Sequence, residues 1–429
     1  MKSKNFRWKI ALLLMFATVL NHMDRNVMSM AAPTLKQKLG LDEMMFAWCN
    51  VAFMASYTVG QLFSGRIIDY LKTRAGFALA VGWWSVANIL HIFGVGTKSF
   101  ATFRFLLGMG ESGLYPAGVK SIAEWFPARE RTVAFGIFNV GAGIGGALAM
   151  ILTGYLIGDE GRWQLPFFLT GAIGGVWVFF WLRLYRAPED HPKLSPEELE
   201  YIREGQKELQ GVESGDTRRV WGIVLRDRNV WAISITRFFT EMPWSFFVIW
   251  VPTYLAHRYG MSPKQIGWFA WVPFVAAMLG SVAGGYLSPL IRKMGFSLLT
   301  ARKIAFTVPC LLMPSVIFIF NAPSIYVATA IFCIGYFAHQ ALSATLLTLP
   351  ADLLPKHTVA TANGMTGSIG FLGVTFFTIY VGIYAKSADY AHLFKVMAFV
   401  DLLAVMVIWL FVSRPKSAAP MPAQEPVRP

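Results

Sequence analysis

Long apolar blocks such as IALLLMFATVL, GAIGGVWVFFWL and VMAFVDLLAVMVIWLFV recur along this chain at intervals of roughly 30–40 residues. That spacing fits helices of about 20 residues crossing a bilayer and joined by short loops. A water-soluble fold is excluded on two counts. Charged residues make up 14% of the 429, against about 25% in a soluble domain. Apolar residues make up 55%, more than one core can hide, because cores stop growing beyond roughly 250–300 residues.

Taken with their flanks, the blocks predict twelve spans, near residues 9–31, 46–70, 75–97, 99–123, 131–157, 164–186, 229–257, 265–290, 302–320, 323–348, 358–385 and 390–413. The expected organisation is an N-terminal six-helix bundle over 1–186, a linker over 187–228, a C-terminal six-helix bundle over 229–413 and a disordered Pro- and Ala-rich tail over 414–429. Within the linker SPEELEYI reads as a short helix, with Ser195 as N-cap and Pro196 at its first position. The first apolar run follows a basic stretch as in a signal peptide. No small-residue cleavage site follows it, so it is read as an uncleaved span.

A net charge of +14 would suggest a nucleic-acid partner in a soluble protein. Here the basic residues crowd one set of loops: Lys72, Arg74, Arg129, Arg131, Arg292, Lys293, Arg302, Lys303 and Lys356, together with Lys2, Lys4, Arg7 and Lys9 at the start and Arg414 and Lys416 at the end. The opposite loops carry few, such as Lys98. The positive-inside rule therefore places both termini in the cytoplasm. The three cysteines, Cys49, Cys310 and Cys333, lie in apolar stretches and show no disulfide or metal pattern. No cofactor, metal or nucleic acid is expected.

The chain repeats itself. EWFPARERTVAFG at 124–136 aligns with DLLPKHTVATANG at 352–364 at one offset of 228, matching Glu124 with Asp352, Pro127 with Pro355 and Gly136 with Gly364. A second echo pairs GRIIDYLKTRAG with GGYLSPLIRKMG, after spans two and eight. Two parallel halves of this kind suit a carrier whose substrate binds between them near the midplane.

The residues also resemble a known family. Gly65, Asp69 and Arg74 in GRIIDYLKTR follow the loop motif of the major facilitator superfamily, although Tyr70 and Lys72 depart from it. HMDRNV, RFLLGMGESGLYPAG and EWFPARERTVAFGIFNVG resemble its anion:cation symporter branch; RFFTEMPW, IGYFAHQALSATLLTL and TVATANGMTG resemble bacterial hexuronate transporters. The likeness implies an all-α membrane fold of twelve helices in two pseudo-symmetric bundles. It also implies proton-coupled uptake of galacturonate or glucuronate across a bacterial inner membrane.

Charges inside the spans are few, and each is costly enough to need a reason. Asp24 and Arg25 are adjacent in span one, so their side chains diverge by about 100°. A guanidinium offers a carboxylate a planar fork at any working pH; the alternative is that Arg25 only neutralises a nearby acid. In the symporter branch the matching Arg contacts the substrate carboxylate and the matching Asp joins proton coupling. Arg104 and Glu111 share a face of span four, two turns apart. Small residues around Glu111 should exclude water, and the resemblance makes it the coupling carboxylate with Arg104 its partner, a permanent structural pair being the alternative. Arg237 and Glu241 are spaced for an i,i+4 pair in span seven, where Pro243 is expected to break the helix.

Uncharged candidates for the sugar hydroxyls are Tyr57, Gln61 and Asn139 from the first half, and His339, Gln340, Ser343, Asn363 and Thr366 from the second. Each could equally be helix-to-helix glue. Trp48, Trp244 and Trp271 are either cavity walls or packing. Asp69 with Arg74, and Arg129 with Arg131, read as gate charges that hold helices in one state and release them in another. The function expected is a carrier, working as a monomer in the lipid bilayer, that binds a small sugar-acid anion and protons. Its rivals are a carrier of aldonate, aldarate or aromatic acids, a membrane enzyme and a channel; no P-loop, HExxH or repeated filter segment supports the last two.

Overall fold

The structure is a computed structural model that describes residues 5–127, 130–207, 217–354, 358–386 and 390–413. Arg129, Pro355, Lys356 and the 414–429 tail lie outside the described residues, as do the charges at 2, 4, 414 and 416. The first bundle holds α1 (Phe6–Leu39), α2 (Glu43–Leu90), α3 (Thr97–Glu111), α4 (Leu114–Trp125), α5 (Arg131–Ile157) and α6 (Gln164–Leu184). Helix α2 carries spans two and three, which reverse at Lys72, where φ is 62°. Helices α3 and α4 together make span four. The linker contributes α7 (Pro196–Lys207) and α8 (Thr217–Arg226).

Span seven consists of α9 (Arg228–Ile249) and α10 (Val251–Tyr259), span eight of α11 (Pro263–Ala270) and α12 (Val272–Lys293), and span nine of α13 (Leu298–Cys310) with a 3-10 segment, Met313–Ile319. Helices α14 (Ile325–Leu353), α15 (Val359–Lys386) and α16 (Tyr390–Phe411) complete the fold. The expected break at Pro243 does not occur. Helix α9 runs through that proline and is first interrupted at Trp250. A proline removes one backbone bond and kinks a helix without ending it when packing holds both sides, and Ser245, Phe246 and Phe247 just beyond are all buried.

Eight of these segments are long and apolar enough to cross a membrane on composition alone. Among the described residues, spans one, two, four and seven are not in that set, and one, four and seven hold Asp24 and Arg25, Arg104 and Glu111, and Arg237 and Glu241.

The linker helix α7 forms as its sequence predicts: Ser195 Oγ accepts from the Glu198 N–H at 3.1 Å. Glu198 then caps α1, accepting from the backbone N–H of Phe6 at 2.9 Å and Arg7 at 3.2 Å. Arg7 pairs with Glu198 at 2.9 Å and with Glu130 at 2.7 Å. A carboxylate at a helix start satisfies orphan donors and the helix dipole together, so the linker is docked on the first bundle.

The two bundles meet where α2 packs on α15, α5 on α11 and α12, and α1 on α10. These contacts run from mid-membrane to the end of the molecule away from the chain termini. Tyr57 lies 5.2 Å from Phe371 between ring centres, and Phe46 meets Trp250 edge-on at 5.2 Å. Gly154 lies so close to the second bundle that a Cβ there would stand 2.6 Å from the Pro263 carbonyl oxygen. At that far end Glu43, only 4% exposed, accepts from Lys36 of α1 and, across the bundles, lies 3.2 Å from His257 Nε2. His257 Nδ1 in turn meets the Tyr390 hydroxyl at 2.9 Å.

The terminal end is different. Gly136 and Gly364, matched by the repeat, are both exposed there with no neighbour where a Cβ would stand. Among the described residues, every ion pair at this end joins groups of one bundle or its linker. Among the described residues, the contacts that join the bundles therefore gather from mid-membrane to the far end.

Burial works against ionisation of Glu43, but hydrogen bonds from His257 and Lys36 outweigh it and hold the carboxylate near 2, below its ordinary 4.5. A depressed carboxylate contributes fully above its unfolded value and is lost only as pH falls through the folded one. Glu43→Gln is thus expected to loosen the far-end seal between about pH 5 and about pH 8 alike. With the native cysteines replaced, a cysteine at Ala47, beneath Gly382, should react faster with an impermeant maleimide in the Glu43→Gln protein; equal rates would contradict the assignment.

Candidate functional site

The first-bundle site begins with a break in span four. Helix α3 ends at Glu111, and Ser112 turns its hydroxyl back to the Met109 carbonyl at 2.7 Å before α4 starts. Gly108 lets α3 lie directly on α2: a Cβ there would stand 2.5 Å from the Phe53 carbonyl oxygen. Glu111 is consequently shut off from water, with no measurable exposure. Arg25 of α1 reaches it with two bonds to the same oxygen, Nε at 3.0 Å and Nη2 at 2.8 Å from Oε2. The guanidinium lies 5.1 Å from the Phe53 ring centre and 4.9 Å from that of Tyr57, positions suited to cation–π attraction. Its side chain keeps 16% exposure, and Glu111 Oε1 is buried without a partner.

Arg104 is not the partner of Glu111. Its Nη2 donates to Asn50 Oδ1 at 3.0 Å and its guanidinium lies 4.3 Å over Phe53. The reason is geometric. Seven residues are about 10.5 Å along a helix, and side chains lean toward the helix N-terminus, which carries Arg104 further from Glu111. Asp24 diverges from Arg25 as its sequence position requires. It is fully buried and accepts from Asn88 Nδ2 at 2.7 Å; the same amide lies 2.7 Å from Thr170 Oγ1. Asp24 therefore faces spans three and six, whereas Arg25 faces spans two and four.

In the second bundle Arg237 Nη2 pairs with Glu241 Oε1 at 3.3 Å, and Nη1 donates to Thr366 Oγ1 at 3.4 Å. Thr366 bonds the Asn363 carbonyl at 3.2 Å. Three residues past Glu241, on the same face of α9, Trp244 stacks on His339 at 5.1 Å and 10°, and Ser343 Oγ lies 3.3 Å from His339 Nε2. Trp244 is thus a wall of this group, while Trp48 is half exposed. Gln340 and Gln61 are half-buried. Asn139 is exposed and accepts from the Tyr115 hydroxyl at 3.2 Å. The structure brings Arg25, Tyr57 and Glu111 into one cluster and Arg237, Glu241 and Thr366 into another, and it leaves Asp24 and Arg104 outside both.

The gate charges fall within single bundles. Asp69 pairs with Lys120 at 2.6 Å, not with Arg74; Arg74 donates to the Leu182 carbonyl. Arg131 bonds the Phe126 and Ala123 carbonyls at 3.1 and 3.0 Å, closing the C-terminal end of α4. Such groups tie helices of the first bundle together, and among the described residues the charged contacts between bundles are those of His257 with Glu43 and Lys36 at the opposite end.

Glu43, His257, Asn50 and Asn88 are absent from the sequence reading, and so are two residues of the spans' interior, Phe53 and Asp401. Phe53, the ring between Arg25 and Arg104, carries no signal of its own in an apolar helix. Asp401 does: it is a charge inside span twelve, in VMAFVDLLAV, and the rule applied to span one applies to it. It is fully buried, with both carboxyl oxygens unpartnered.

Two bundles sealed at one end around paired charges define a membrane carrier. The sequence profile of the Major Facilitator Superfamily matches residues 14–378, and the chain belongs to that family. It is similar to the hexuronate transporter of Escherichia coli K12, at 38% identity over 95% of this chain and 94% of that one. It is likewise similar to the galacturonate transporter of Dickeya chrysanthemi, at 38% over 77% and 95%. Among solved structures, a D-xylose-proton symporter shares the fold, with a TM-score of 0.74 at 16% identity over 96% and 99% of the two chains.

Removing Arg25 alone, as Arg25→Met, strands Glu111 and is expected to cost on the order of 3–5 kcal/mol. Adding Glu111→Gln should recover most of that loss. Thermal unfolding of the three variants in detergent checks it; additive losses would mean that the pair is not coupled.

Proposed function

We propose that the chain imports hexuronates, galacturonate or glucuronate, together with protons by alternating access. The observation that carries the reading is Arg25 held by the fully buried Glu111, on a chain 38% identical to hexuronate and galacturonate transporters. The basic loops assign the terminal end to the cytoplasm, so this conformation is open inward, in a bacterial inner membrane and as a monomer.

Coupling follows from competition for one guanidinium. A substrate carboxylate can take the Arg25 fork only if Glu111 gives it up, and an unpaired Glu111 carboxylate in that dry site is prohibitively expensive. Protonation of Glu111 removes the cost, so proton and anion bind together and leave together. Asp24, one residue away but facing spans three and six, is the second carboxyl assigned to proton handling. Tyr57 covers the Arg25 face. Sugar hydroxyls meet Thr366, Asn363, His339, Gln340 and Ser343 from the second bundle and Gln61 and Asn139 from the first.

In proteoliposomes, a panel of radiolabelled sugar acids under an inward proton gradient tests the cargo; rejection of both uronates would end this reading. Glu111→Gln is expected to abolish uphill uptake while counterflow exchange survives. If counterflow vanished while protein levels and binding held, Glu111 would be structural or gating instead. Arg25→Lys keeps the charge but loses the fork, and should weaken binding at least about tenfold; unchanged affinity would remove Arg25 from the site.

A further inference from the structure

We infer that Glu241 restricts this carrier to sugar acids with a single carboxylate, by occupying the arginine that the second bundle would otherwise present to a second one. The inference rests on the hexuronate reading above and names the selectivity of that same site.

Arg25 and Arg237 stand on the two sides of one contact between the bundles. The Arg25 guanidinium lies 4.9 Å over Tyr57, and Tyr57 meets Phe371 at 5.2 Å. The residue before Phe371 is Gly370, where a Cβ would stand 3.0 Å from Glu241 Cγ and 3.5 Å from Arg237 Cβ. A ligand seated between the bundles therefore has one guanidinium on each side of it.

The two are not equivalent. Arg25 is held by Glu111, a carboxylate sealed from water that proton binding can neutralise. Arg237 is held by Glu241 from the next turn of its own helix, at 3.3 Å, and the Glu241 side chain keeps 27% exposure. Water at that carboxylate lowers the cost of its charge, so nothing there forces the pair apart. Arg237 also spends Nη1 on Thr366. The second bundle thus offers a charge-compensated pair with neutral hydroxyl and ring groups beside it. That suits the uncharged end of a uronate. A second carboxylate would arrive next to Glu241 with the charge of Arg237 already compensated, and like charges brought together are strongly disfavoured.

The test compares a hexaric diacid with its monoamide, which has the same carbon chain and one carboxylate fewer. Both compete for uptake of labelled glucuronate by the full chain in proteoliposomes. In the wild type the monoamide is expected to compete at least about tenfold better than the diacid. In Glu241→Gln, which keeps size and a hydrogen bond to Arg237 but removes the charge, that ratio should fall at least about tenfold, through stronger diacid binding. Adding Arg237→Gln should cancel the gain. A monoamide that competes no better than the diacid in the wild type overturns the inference, and this comparison needs no variant to fold. An unchanged ratio in folded Glu241→Gln also overturns it. Failure of the wild type to take any uronate would instead overturn the functional reading, so the two failures are separable.

Discussion

A carboxylate excluded from water must find a cation or take up a proton, because neither lipid nor apolar side chains solvate it. Glu111 is placed under that constraint by the close approach of α3 to α2, and Arg25 answers it with two bonds to one oxygen. Much of the first bundle is arranged around this pair. Phe53 and Tyr57 wall the guanidinium, Arg104 is held away by Asn50, and the interruption after Glu111 ends α3 where the pair forms. On the proposed reading the same constraint is the coupling device, since a proton and an anion are the two ligands that can jointly release it.

The contrast between the two ends gives this pair its directional meaning. Aromatic, glycine and charged contacts join the bundles at the far end, whereas the ion pairs of the described residues at the terminal end lie within a bundle or its linker. A rigid first bundle, braced by Asp69–Lys120 and by the docked linker through Glu198 and Arg7, can rock as a unit because its internal bonds need not change. On the proposed alternating access, the contacts that change are those between bundles, among them Glu43 with His257 and the packing of Gly154 on Pro263.

Much of the fold was legible because hydropathy is local. The twelve spans, the α7 cap at Ser195 and the repeat between 124–136 and 352–364 can be seen without knowing what touches what. Intramembrane charge was legible for the same reason, and Asp401 yields to that rule as readily as Asp24. Pro243 misled, because a proline's effect depends on the packing beyond it. Pairings misled more. Arg104 and Glu111 share a helix face, and Asp69 and Arg74 share a loop, yet in each case the residue met was on another helix.

The sequence by itself determined that this chain lives in a membrane, where its apolar spans fall, that its halves echo each other and, Asp401 apart, which charges its spans must accommodate. Each of these follows from transfer costs that attach to a residue wherever it packs. Only the tertiary structure decided which charges meet. Arg25 and Glu111 are 86 residues apart, and Glu43 and His257 belong to different bundles. Such pairings depend on interhelical distances of a few ångströms, set by small residues such as Gly108 and by side-chain direction, and no local pattern encodes them.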